Sequence, residues 1–176
     1  MKYHDTINYP LPADSLFKFF TDPNFFVRKY EAQGATNVRI IHAEVSGSRS
    51  TITISRDVPV EVPIPSFARA LVPSHITLVQ TDEWDTATRK GRLAIEFKGM
   101  PVHLKCDITL RDCAGGAIEE LAFDIRVSVP LLGGKLEQLI AQDLRLKFQR
   151  DMEISLNIMQ GLVRRAATEG MGSDRK

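Results

Sequence analysis

Apolar residues recur along this chain with two different periods, and the switches between them mark out its elements. Residues 2–9 read as a first strand. Leu16, Phe17 and Phe20 then follow at three- and four-residue spacing after Pro12, a ring suited to the first position of a helix. Asp22-Pro23 is a second helix start, an acceptor at N-cap followed by a residue with its φ already set. Phe26 and Tyr30 share one face of that helix, and Gly34 supplies its stop. Five of the nine Phe fall between Phe17 and Phe26, so both helices must bury aromatic surface.

From Thr36 to Val129 the period is two. Val102, Leu104, Cys106, Ile108 and Leu110 alternate with His103, Lys105, Asp107 and Thr109, the pattern of a half-buried antiparallel strand. Leu121, Phe123, Ile125, Val127 and Val129 repeat it, as do Leu93, Ile95 and Phe97. Weaker strands are expected over Val38–Val45, Thr51–Ser55 and Ile76–Trp84. Turn residues at Ser46-Gly47-Ser48, Lys90-Gly91, Gly99-Met100-Pro101 and Ala114-Gly115-Gly116 separate the strands, which favours an antiparallel meander. Val58–Ser74 fits neither period. It holds Pro59, Pro63, Pro65 and Pro73, so no central strand can run through it. Ser66 is placed to cap a short helix, Phe67–Val72, which Pro73 ends.

The last element is a long helix opened by Gly133-Gly134 and closed by Gly170. Leu136, Ile140, Leu144, Phe148, Met152, Leu156, Met159 and Val163 trace one apolar stripe along it. Glu137, Arg145, Arg150, Asp151 and Glu153 populate its other faces, with Arg150 and Glu153 spaced to pair. Gly161 weakens it by about 1 kcal/mol relative to Ala, so fraying is expected beyond that point. One domain over residues 1–170 and a disordered tail over residues 171–176 complete the reading.

Composition narrows the function classes. With 23 Lys and Arg against 22 Asp and Glu among 176 residues, the net charge of +1 gives no footprint for nucleic acid. No apolar run approaches the ~20 residues that span a bilayer, and the opening Met1-Lys2-Tyr3-His4-Asp5 turns polar at once, unlike a signal peptide. Two Cys cannot make a disulfide scaffold. A cytoplasmic protein without stable membrane insertion is expected, of undetermined oligomeric state.

The opening Tyr3-His4-Asp5-Thr6-Ile7-Asn8-Tyr9-Pro10, with Pro12-Ala13-Asp14-Ser15-Leu16-Phe17 and Thr21-Asp22-Pro23, resembles the start of a START-like, helix-grip (SRPBCC) domain. That superfamily includes plant pollen-allergen relatives, bacterial polyketide cyclases and dehydratases, and ubiquinone-binding proteins. The stretch from Pro59 to Trp84 is similar to an uncharacterised bacterial family within it. The resemblance implies an α+β fold: a curved antiparallel sheet of about seven strands gripping the C-terminal helix, with two short helices after the first strand. It also implies an apolar cavity between sheet and helix for a lipid, quinone or polyketide-like molecule.

On that arrangement the cavity lining is expected from Leu136, Ile140, Leu144, Phe148, Met152, Leu156 and Met159 on the helix. The sheet would contribute Leu93, Ile95, Phe97, Leu104, Ile108, Phe123, Ile125 and Trp84. Each has a plainer role as packed core, and Trp84 as rim packing. Phe67, Leu71 and Val72 would form a lid over the cavity mouth, a patch that touches a membrane transiently during transfer, or a permanent cap. Gly133-Gly134 would be a hinge or a turn demanding positive φ.

Conventional catalytic signals are sparse. His4, His42, His75 and His103 lack metal-ligand spacing, and no metal or cofactor is expected. His103 falls on a polar strand face; His42 would be a general base or polar anchor if it faced inward. Cys106 should be buried and inert, and Cys113 sits at a turn. No P-loop, dinucleotide fingerprint or nucleophile elbow is present. The primary reading is a carrier or sensor for a hydrophobic small molecule. A cyclase- or dehydratase-type enzyme would instead show two or more titratable side chains converging in the cavity. A protein-interaction or chaperone-cofactor module would show a filled core and an exposed apolar patch.

Overall fold

The computed structural model describes residues 1–60 and 73–172. The elements follow in the order β1 (Lys2–Tyr9), α1 (Ala13–Phe20), α2 (Pro23–Ala32), β2 (Thr36–Ser46), β3 (Arg49–Pro59), β4 (His75–Asp85), β5 (Lys90–Phe97), β6 (Val102–Cys113), β7 (Gly116–Val127) and α3 (Gly133–Gly172). The strands make one curved antiparallel sheet in the order β1-β7-β6-β5-β4-β3-β2. It is a meander from β2 to β7, with β1 laid on the β7 edge. This is the α+β helix-grip architecture, and α3 rests on β7, β1 and α2.

Alternation becomes burial most cleanly in β6, where Val102, Leu104, Cys106, Ile108 and Leu110 are all enclosed and the residues between them are exposed. α2 starts as its sequence dictates: the Asp22 carboxylate accepts the Asn24 backbone N–H and Pro23 takes the first helical position. α1 differs. Pro12 is its cap residue and offers no side-chain acceptor, so the first helical residue is Ala13. The missing acceptor comes from another strand, because Ala13 N donates to Asp112 Oδ1 at 2.8 Å.

Several boundaries move. β3 runs on to Pro59, whose partner is His75. β7 stops at Val127, and the Val129 carbonyl instead accepts the Gly133 N–H at 2.9 Å at the entry to α3. That entry does not use glycine for positive φ; Leu131 takes the left-handed conformation at φ 63°. Gly133 is required because a Cβ there would stand 2.4 Å from the Val127 carbonyl oxygen. α3 continues through Gly161 and past Gly170 to Gly172, and residues 173–176 lie outside the described residues.

β2 is the largest departure from expectation. It is an edge strand, exposed along nearly its whole length, with register shifts between Thr36 and Arg39 and between Ile40 and His42. The second shift breaks the alternation that would have turned His42 inward. His42 is exposed, 3.5 Å from Glu44, and is no interior base. Ile40, Ile41 and Val45 are exposed with it.

Candidate functional site

The concave face of the sheet and the stripe on α3 meet on one side only. Pairing sets Ile95, Leu104 and Ile125 in one row across the sheet and Leu93, Cys106 and Phe123 in the next. Leu93, Leu104, Ile108, Phe123, Ile125 and Met159 are buried. Ile95, Phe97, Leu136, Ile140, Leu144, Phe148, Met152 and Leu156 are half-buried, which leaves an apolar seam partly open. Phe148 joins the two layers through Phe123, their rings 5.2 Å apart, and Tyr3 also stacks on Phe123 at 5.4 Å. Trp84 lies apart from this group. It is edge-on to Phe17 and stacked on Phe20, with Gly91 opposite it on β5; a Cβ at Gly91 would meet the indole at 2.8 Å. Phe67, Leu71 and Val72 lie outside the described residues.

Between β1 and α3 the seam widens into a cleft of about 390 Å³, lined by Asp5, Thr6, Ile7, Asn8, Arg145, Phe148, Gln149 and Met152. That volume falls within the range of small-molecule sites. Phe148 and Met152 supply an apolar wall. The Arg145 guanidinium sits 5.3 Å from the Tyr3 ring centre at its rim.

The interior also holds a polar network that the apolar pattern did not announce. Arg56 of β3 donates through Nη2 to Gln80 Oε1 at 2.8 Å, and Gln80 Nε2 donates to Asp82 Oδ2 at 2.9 Å. From α2, Tyr30 lies under the Arg56 guanidinium, 3.7 Å from ring centre to Cζ. Lys29 reaches Asp151 of α3 at 3.3 Å, and Gln33 donates to the same carboxylate. Asp151 is therefore turned inward as the tie between α2 and α3, where the charge pattern had placed it on an outer face. On β7, Glu119 accepts from Tyr9 OH at 2.9 Å.

Enclosure shifts how these groups titrate. Burial pushes the Asp82 carboxyl up to about 6, although Lys29, Gln80 and Arg56 pull against it. Burial likewise lifts Glu119 to about 7, against the hydrogen bond from Tyr9 and the charge of Lys29. Tyr30 is raised to about 12 by burial and stays a phenol. For Lys29 burial opposes the charge most strongly, yet Asp151, Tyr30 and Asp82 together outweigh it and keep the ammonium protonated above its ordinary range. Cys106, pushed up to about 12 by burial, is an unreactive thiol. The arrangement leaves apolar surface half open along the seam and encloses two carboxyls, Asp82 and Glu119, raised towards neutrality.

The signal for the network was present in the alternation. Arg56 is in phase with Ile52 and Ile54, Gln80 and Asp82 with Leu78 and Trp84, and Glu119 with Leu121 and Phe123. A polar residue in the buried phase of a strand marks a site, and following only the apolar members of each strand passes over these four.

A family model described as "Protein of unknown function (DUF2505)" matches residues 5–156. No curated protein matches the sequence. Among solved structures, the chain is similar to TTHA0849 from Thermus thermophilus at 14% identity and TM-score 0.56, over 94% of this chain and 99% of that one. It is similar to Ara h 8.0201 at 12% identity and TM-score 0.61, over 92% and 98%. The Zhui aromatase/cyclase from Streptomyces sp. R1128 matches at 14% identity and TM-score 0.53, over 95% of each chain. At such identities these likenesses establish the fold.

Proposed function

The chain belongs to the DUF2505 family, within the START-like helix-grip fold, and on that premise we propose that it binds a hydrophobic small molecule between the sheet and α3. The molecule is lipid-, quinone- or polyketide-like, and the protein acts as its carrier or sensor. One observation carries the reading: the half-buried stripe of α3 stands apart from edge strand β1 at Phe148 and Met152, leaving a cleft of about 390 Å³ that opens to solvent. A ligand bound there to the folded chain alone stabilises it by mass action.

Titration with N-phenyl-1-naphthylamine, a neutral apolar fluorophore, tests this. Saturable uptake is expected. Met152→Lys should weaken it about tenfold or more with little loss of stability, since the site is half exposed and a lysine stem can reach solvent. No saturable uptake by the unmodified protein, or unchanged uptake by the variant, would overturn the proposal.

A second reading has its own support. Asp82 and Glu119 are inward carboxyls that titrate near neutrality, as an acid–base enzyme of the cyclase or dehydratase kind requires. It is separable from carriage: Asp82→Asn would abolish turnover of a bound substrate while leaving its affinity within about threefold. No helix among the described residues is long and apolar enough to cross a membrane.

A further inference from the structure

Three of the large apolar side chains left exposed sit on one strand: Ile40, Ile41 at 61% and Val45 at 65%, all on β2. β2 ends the sheet, so its outer row of backbone N–H and C=O groups meets no strand among the described residues. An edge of this kind pairs with another strand unless something restricts what fits. Its pairing with β3 shows the restriction. Ile40, Ala43 and Val45 lie opposite Ile54, Ile52 and Ser50, which are buried, so these three share the inward face. Arg39, His42 and Glu44 lie opposite Ser55, Thr53 and Thr51 and share the outward face. Ile41 has no opposite residue on β3: it is the extra residue of a bulge, and it reverses the alternation between the two halves of the strand.

We propose that the β2 edge is a self-association surface, on which the β2 of a second copy pairs antiparallel about a two-fold axis between Ile41 and His42. An unbulged strand cannot use an axis between two residues, because inward and outward positions would then oppose one another. The bulge at Ile41 removes that conflict. Arg39 of each copy faces Glu44 of the other on the outward side. On the inward side Ile40 faces Ala43, and Val38, half-buried against the core, faces Val45. Opposite charges thus meet twice, once on each side of the axis. Shifting the copy by one residue sets inward Ile40 against outward His42 or Glu44; shifting it by two sets Arg39 against His42 or Ser46 and forfeits both charge pairs. In a single chain Glu44 has exposed His42 beside it at 3.5 Å. The bulge and the charges therefore refuse a strand of arbitrary sequence and accept this one. The cleft beside β1 lies at the opposite edge of the sheet, so the pairing is independent of the ligand-binding reading.

A charge-exchange series tests both the surface and its register. Sedimentation velocity and light scattering on the intact chain should show a concentration-dependent dimer of twice the 19.7 kDa chain mass. The series extends to about 0.3 mM, where a micromolar association is essentially complete. Glu44→Arg sets like charges opposite each other twice across the axis, and Arg39→Glu does the same with the other sign. Each should raise the dissociation constant about tenfold. The double variant R39E/E44R restores opposite charges in exchanged places and should return to within about threefold of the unmodified chain. Both side chains are exposed, so the urea midpoint of the diluted, monomeric chain should hold in all three variants. A chain that stays at its single mass up to the highest concentration would overturn the proposal. So would a dimer indifferent to either single variant, or one that the double variant fails to restore, since each places the contact elsewhere than in this register of β2.

Discussion

Replacing Glu119 with Gln should alter the pH dependence of stability more than stability itself. Glu119 is 7% exposed on the inward face of β7, between Ile7 on β1 and Leu110 on β6, and its carboxylate accepts from Tyr9 OH. Burial raises the carboxyl from 4.5 to about 7. Between those values the folded chain keeps a proton that the unfolded chain has released. The stability this linkage supplies is therefore fully present below pH 4.5 and is lost as pH rises through about 7. The difference amounts to about 3 kcal/mol. Asp82, raised to about 6, adds a slope of the same sign at lower pH, whereas Lys29, raised from an ordinary value of 10.5, contributes a constant amount between pH 5 and 8. Gln keeps the shape and the acceptor for Tyr9 but removes the titration. Urea unfolding followed by the emission of Trp84, the one Trp in the chain, checks this at pH 5 and pH 8. Glu119→Gln should be more stable than the unmodified protein at pH 8, by up to about 3 kcal/mol, and close to it at pH 5. Parallel pH profiles for the two proteins would refute the placement of Glu119 as a buried, largely desolvated carboxyl.

Two further perturbations are specific. Asp151→Ala leaves the Lys29 ammonium enclosed without its closest counter-charge and should cost about 3 kcal/mol in denaturant unfolding; Lys29→Met leaves only a partly exposed carboxylate and should cost clearly less, with equal costs counting against the tie between α2 and α3. Gly91→Ala forces a methyl to 2.8 Å from the Trp84 indole and should lower stability by about 1–3 kcal/mol with a shift in Trp emission, an unchanged spectrum showing that the ring is not held against β5.

The architecture was legible because each local rule agreed with the next. Alternation over Val102–Leu110 became a strand enclosed on one face, and the Asp22-Pro23 start became α2 with the cap in place. What failed were features set by distant parts of the chain. The α1 start depends on Asp112, 99 residues from Ala13, and no window around Pro12 contains it. The shift at Ile40 and His42 reverses which residues of β2 face inward, and alternation alone gives no sign of it. Of the residues expected from their periods to line a cavity, Phe148 and Met152 border the cleft, and Phe123 packs against Phe148 without lining it. Arg56, Gln80, Asp82 and Glu119 were readable in principle as polar residues in buried phases. Lys29 and Asp151 were not, because ordinary helix-surface charges turn inward only where α2 and α3 meet.

Native mass spectrometry of the protein purified from its own source, with organic extraction of the same sample, addresses the ligand most directly. A bound species of a few hundred daltons is expected, recoverable in the organic phase and depleted in Met152→Lys. A preparation that shows only the mass of the bare chain, and that takes up no apolar probe afterwards, would contradict a ligand site between the sheet and α3.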